Sequence, residues 1–429
     1  MSQVKRIIGI IFVFCCATVA WMVLGGVMSS RTGSQSNRLQ GNVADLWGSA
    51  QQQTAPALTF HWDTWENHER TETVDGKIKV VRTRERVHHT RPVFVSKSDL
   101  TVNLKLDQRL KGLIWYSLYD VVFGGGWKYE HREEMAGELQ ITFAFPEAQG
   151  LFDDFRFVVD GQDRARDGQP DQGQLSIMVP VKPSQTVDIA VGYKSRGMDT
   201  WRYAPGSGVA SLENFRLKMT TDFGDIDFPP YTMSPVEKHP VGNGWELTWS
   251  FTRVVTGHGI GMIMPGRIQP GEMASSLSFS APISLFFFFL LIFVLATLRG
   301  IDIHPINYFF LAGGFFAFHL FFGYSVDHLH LVPAFVLASV ISILLVTSYL
   351  RLVVSSRFAF VEAALAQLIY LVGFSLAYFW DGYTGLTITV LAILTLFLLM
   401  QLTGRLSWTD VLSRKTSAKV ALPEASRVR

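Results

Sequence analysis

The stretch SLFFFFLLIFVLATLRGIDIHPINYFFLAGGFFAFHLFFGYSVDHLHLVP, residues 284–333, decides the fold. Its apolar runs, about 281 to 298 and 306 to 324, each approach the roughly 20 residues that carry a helix across a bilayer. The break between them holds Arg299, and the break after the second, 325 to 330, holds no Lys or Arg. Basic residues in short loops are retained in the cytoplasm, so the first break lies inside and the second outside.

Working outward, further runs at about 331 to 350, 358 to 379 and 384 to 402 follow, and one at Ile7 to Met28 precedes, which makes six predicted crossings. Lys5, Arg6, Arg351, Arg357, Arg405, Arg414, Lys415 and Lys419 flank the inside ends, and the loop at 380 to 385 has no basic residue. Both termini are therefore expected in the cytoplasm. The organisation predicted is an N-terminal anchor (1–30), an exported domain (31–276), a five-helix bundle (277–404) and a basic tail (405–429) that meets the anionic inner leaflet of the lipid bilayer. Of 429 residues, 48% are hydrophobic and 17% charged, a balance that fits such a mixed chain. The net charge of +2 offers no argument for nucleic acid as a partner. Cys15 and Cys16 lie within the first span, so the exported domain has no cysteine with which to form a disulfide. The first span is expected to remain as an anchor instead of being cleaved.

From Lys77 the polar region reads as strands, among them TVNLKLD (101–107), ELQITFAF (138–145), VDIAVGY (187–193) and WELTWSFTRVV (245–255). Period-two alternation broken by Gly, Asp, Asn and Pro predicts an antiparallel β-sandwich, hence an all-β extracytoplasmic domain on a multi-pass α-helical membrane protein. Its aromatic residues, Trp115, Tyr116, Tyr119, Trp127, Trp201, Tyr203, Trp245 and Trp249, are expected in the core more than on a sugar- or lipid-binding surface. GGGW at 124–127 reads as a turn, since no helix signal follows it to make a phosphate cradle.

The residue types that carry chemistry sit in the membrane half. Pro305 suits the first turn of a helix, with His304 before it and Asp302 available to cap or to favour the dipole. His319 lies about 21 Å into its span at 1.5 Å per residue, and an ionisable group at that depth calls for a functional hypothesis. Metal coordination by His319 with His328 or His330, or a bond from His319 to Asp327, is one reading; packing between helices is the other. Asp327 is placed to cap the helix after it, and Tyr324 suits the aromatic belt. Glu362 is expected to pair with Arg357 at the inner interface, Gln367 to bridge helices, and Gly313 and Gly314 to mark a close helix contact.

Several segments resemble the CreD family of bacterial inner-membrane proteins. RGIDIHPINYFFLAG supplies Arg299, His304, Pro305 and Tyr308 in place of the family's loop between its second and third spans, and LTGRLSW echoes its closing motif through Leu402, Thr403, Arg405 and Trp408. GMDTWRYAPGSG is similar to an exported segment of the family, and GNGWELTWS keeps Gly244, Trp245 and Trp249 in register with one of its strands. The chain departs from the family at DFGDIDFPPYTMSP, which keeps Pro229, Pro230 and Pro235 but lacks the family's tryptophan and its P-S-F core. The resemblance implies a non-enzymatic protein of envelope integrity and stress, without a cofactor, whose periplasmic domain binds or senses a protein or cell-envelope ligand. The alternative expectation is a transporter or metal-dependent membrane enzyme built on His319, Asp327, His328 and His330.

Overall fold

The computed structural model describes residues 3–404 apart from 75–76, 113, 207, 209 and 381. The basic tail, with Arg405 and Trp408, lies outside the described residues. Among the described residues, six helices are long and apolar enough to cross a membrane: α1 (Gln3–Trp47), α2 (Pro270–Leu298), α3 (Pro305–Ser325), α4 (Leu331–Val353), α5 (Phe358–Phe379) and α6 (Thr384–Thr403). The chain is a multi-pass membrane protein by that count, with a large β domain between the first span and the other five.

Two compact units divide the chain near 37/38 and 267/268. The boundaries differ from those expected at 30/31 and 276/277 because both flanking helices outrun their apolar cores. α1 continues through polar residues to Trp47, and α2 starts at Pro270, where a missing N–H costs a first helical turn nothing. α1 ends at Gly48, whose φ of +93° and close approach to the Arg196 carbonyl admit no side chain. The guanidinium groups of Arg109 and Arg196 lie 3.8 and 5.2 Å from the Trp47 ring.

In the helical unit α1 runs parallel to α3, held at both ends by an ion pair. Arg6 donates to Asp302 at 3.1 Å, and Arg31 pairs with Asp327. The partners advance by the same 25 residues, from 6 to 31 along α1, about 37 Å of helix, and from 302 to 327 across α3 and the residues that flank it. No Asp, Glu, Lys or Arg stands between the clips in either segment. The spacing matches a hydrocarbon core of roughly 30 Å plus part of each interface. A third pair, Arg299 with Glu362, joins the α2 end to α5. Glu362 therefore takes Arg299 as its partner and not Arg357, the neighbour one turn away along its own helix.

At mid-depth the helices exchange polar groups. Gln367 on α5 donates to Ser342 on α4 at 2.8 Å, and Ser342 donates to the Gly314 carbonyl on α3 at 2.7 Å. α5 is wound in wide turns over Phe358–Ala363 and Leu368–Gly373. Turns of that kind break the usual carbonyl ladder, and the Tyr370 carbonyl takes a bond from Ser284 on α2. Thr395 on α6 donates to its own turn, so the Tyr370 hydroxyl donates to Thr395, at 2.7 Å. Each bond removes a polar group from lipid at the depth where leaving it unpaired is most costly. Gln367 thus bridges helices as expected.

The β unit is built of β1 (Gln51–Thr54), β2 (Ala57–Val74), β3 (Lys77–Val93), β4 (Lys97–Lys111), β5 (Ile114–Glu130), β6 (Gly137–Ala144), β7 (Asp153–Val159), β8 (Gln162–Asp163), β9 (Gln174–Val181), β10 (Thr186–Met198), β11 (Thr200–Ala204), β12 (Ala210–Thr221), β13 (Glu237–Val241), β14 (Gly244–Thr256) and β15 (Ile260–Ile263). They form an eight-stranded sheet (β13-β14-β12-β4-β5-β10-β7-β8), a four-stranded sheet (β3-β2-β6-β9) and a three-stranded sheet (β1-β11-β15). All three contribute to one core: Leu100, Val121, Phe157 and Trp249 from the first, Phe60, Leu139 and Leu175 from the second, Trp201 and Tyr203 from the third. The eight- and three-stranded sheets are mixed where a purely antiparallel sandwich was expected, since β4 pairs with β12, and β1 with β11, in parallel; the four-stranded sheet is antiparallel throughout.

The GGGW stretch is no turn but the interior of β5. A Cβ at Gly125 would meet the Trp127 ring at 2.2 Å, and one at Gly124 the Thr101 hydroxyl at 2.7 Å. The glycines leave room for Trp127 to fold back over its own strand into the core. Trp127, Trp201, Trp249, Tyr119 and Tyr203 are all buried, as expected for core aromatics.

Candidate functional site

The residues singled out in the membrane half do not converge. His304 caps α3 itself, its Nδ1 accepting from the Ile306 amide at 3.3 Å, while Asp302 is engaged by Arg6. His319 is 3% exposed and its Nδ1 donates to the Phe315 carbonyl at 3.0 Å, one turn back on its own helix. Its ring packs edge-on against Trp21 and Phe318. Asp327 does not cap α4, whose N-cap is His330 without a side-chain bond; it pairs with Arg31, which also lies 5.3 Å from the Tyr324 ring. His328 and His330 are exposed in the turn. No group of three metal-ligating side chains occurs among the described residues.

The feature that stands out chemically is a β-hairpin arm. β2 and β3 pair over 17 rungs, from Leu58 with Val93 to Val74 with Lys77. β2 pairs with β6 only from Ala57 to His61. Beyond that root, 13 rungs extend as a two-stranded ribbon, about 40 Å at roughly 3.3 Å per residue. A two-stranded ribbon has no third strand to cover a face and is marginal alone in water.

Side chains near the root form stacked pairs. Phe60 and Trp62 stack at 5.2 Å, and Trp62 with His89 at 5.3 Å. Farther out, Arg84 lies 5.1 Å over Trp65, which is 58% exposed. Arg86 pairs with Asp63, and His88 Nδ1 donates to the same carboxylate at 2.8 Å. His88, then Arg86, hold the Asp63 carboxyl below its ordinary range. His61 Nδ1 faces His88 Nε2 at 3.2 Å, and His61 Nε2 meets Gln140 Oε1 at 3.0 Å. Arg and Trp are the side chains that most often anchor protein interfaces, and here Trp65 and Arg84 stand exposed on the ribbon. The sequence reading missed the arm. HWDTWENHERTETV has no clean two-residue alternation, the pattern that one buried face would impose.

No family model matches the chain, and no curated protein matches it. Among solved structures, a protein of Legionella pneumophila strain Philadelphia 1 described as a "putative nutrient binding protein" aligns at 10% identity and a TM-score of 0.29, over 46% of this chain and 74% of that one. Similarity at that level carries no argument about fold or function.

Proposed function

We propose that the chain is a non-enzymatic inner-membrane protein with both termini in the cytoplasm, whose periplasmic β domain binds an envelope partner through the β2–β3 arm. The resemblance to the CreD family supports a role in envelope integrity and stress. The observation that carries the reading is the arm itself. A long ribbon with no third strand, displaying Trp65, Arg84 and Arg86, has backbone edges and side chains suited to capture by strand addition or by aromatic anchoring. The alternative centred on His319, Asp327, His328 and His330 gains no support, since His319 and Asp327 are each bonded to other groups.

The test shortens the arm without touching its root. Asp63 and His88 are opposite one another, so Thr64–Val87 can be replaced by an Asn-Gly turn. The shortened protein is expected to accumulate in the membrane with an unchanged denaturation midpoint, yet to fail to restore envelope robustness to a deletion strain. Full restoration would overturn the proposal.

A further inference from the structure

We propose that His61 and His88, at the root of the arm, bind a borderline transition-metal cation such as Zn2+ or Cu2+. The argument starts from the outer nitrogen of each ring. Asp63 is a carboxylate and can only accept, so the proton of His88 is on Nδ1, which it donates at 2.8 Å. Gln140 presents its carbonyl oxygen to His61 Nε2 at 3.0 Å, so that nitrogen also carries a proton. In the neutral rings the two remaining nitrogens, His61 Nδ1 and His88 Nε2, then hold only lone pairs, 3.2 Å apart and facing each other. Two lone pairs at that distance repel unless a cation lies between them.

The distance suits a metal. A tetrahedral ion with nitrogen ligands at about 2.0–2.1 Å has an edge of roughly 3.3–3.4 Å between them, within reach of 3.2 Å by a small ring rotation. The outer bonds are those that orient metal-binding imidazoles elsewhere: a carboxylate on one ring and an amide carbonyl on the other, each fixing tautomer and plane. Arg86 holds the second oxygen of Asp63 and keeps the first turned toward His88. The protein supplies two ligands, the facing nitrogens of His61 and His88. Water or a partner's ligand fills what remains.

The inference stands apart from the partner reading, because the shortened arm keeps Asp63 and His88 and binding is measured on the protein alone. Tag-free, chelator-treated full-length protein in detergent micelles is titrated with Zn2+ by calorimetry. One ion per chain is expected. His61→Ala and His88→Ala should each weaken it more than tenfold, and Asp63→Asn, which leaves both imidazoles in place, by about tenfold. His328→Ala combined with His330→Ala should change nothing. A wild-type protein that binds no Zn2+ would overturn the proposal, leaving a shared proton as the cation. So would undiminished binding by His61→Ala and His88→Ala, or a loss that follows His328 and His330.

Discussion

Trp249→Ala is expected to destabilise the β domain by about 3–5 kcal/mol, the range for emptying a large aromatic site in a core. Trp249 is fully buried on β14, opposite Leu217 of β12. Its indole Nε1 also donates to the Met233 carbonyl at 2.8 Å, so the truncation removes a hydrogen bond as well as packing. Against a typical stability of roughly 5–15 kcal/mol, that loss is a large share of the whole. The denaturation midpoint of the full-length protein in micelles, followed by near-ultraviolet circular dichroism, reports it. Trp65→Ala provides the contrast: exposed on the arm, it should shift the same midpoint by about 0.5 kcal/mol or less. Equal effects of the two substitutions would contradict the assignment of core and arm.

Gly314→Leu is expected to destabilise the helical bundle by about 1–3 kcal/mol, the range for overpacking a close contact. A Cβ at Gly314 would stand 2.5 Å from Val346 Cγ2 on α4, and the Gly314 carbonyl is the acceptor for Ser342. Separating α3 from α4 there also loosens the Gln367 bond to Ser342. Gly313→Leu supplies the control, because nothing lies within 4 Å of a Cβ at that position. The resistance of the purified protein to unfolding in a mixed detergent series should fall for Gly314→Leu and hold for Gly313→Leu. The sequence suggests both glycines as a contact, and only the helix phase separates them.

Apolar length was enough to read the spans. The runs at 331–350, 358–379 and 384–402 lie within α4, α5 and α6 almost to the residue, since lipid selects for one property over a fixed distance. The strands with one buried face were legible for the same reason: TVNLKLD falls inside β4, and VDIAVGY inside β10. Helix ends were less so, because α1 beyond Met28 is held by Arg31 with Asp327 and by Trp47 between arginines, pairings no local pattern contains. Parallel pairing of β4 with β12 was invisible on the same grounds. At the candidate site the sequence drew attention to His319, Asp327, His328 and His330, clustered along the chain. The histidines that do meet, His61 and His88, are 27 residues apart and are joined only by the hairpin register.

The central claim is a β domain held outside the cytoplasm by a six-span anchor, and labelling of single cysteines tests it most directly. In a Cys15→Ser, Cys16→Ser background, Tyr231→Cys probes the β domain, where Tyr231 is 80% exposed, and Ser356→Cys probes the exposed turn between α4 and α5. Spheroplasts are treated with a membrane-impermeant maleimide before and after lysis. The predicted result is labelling at 231 in intact spheroplasts and at 356 only after lysis. Labelling at 356 before lysis, with 231 protected, would contradict the account.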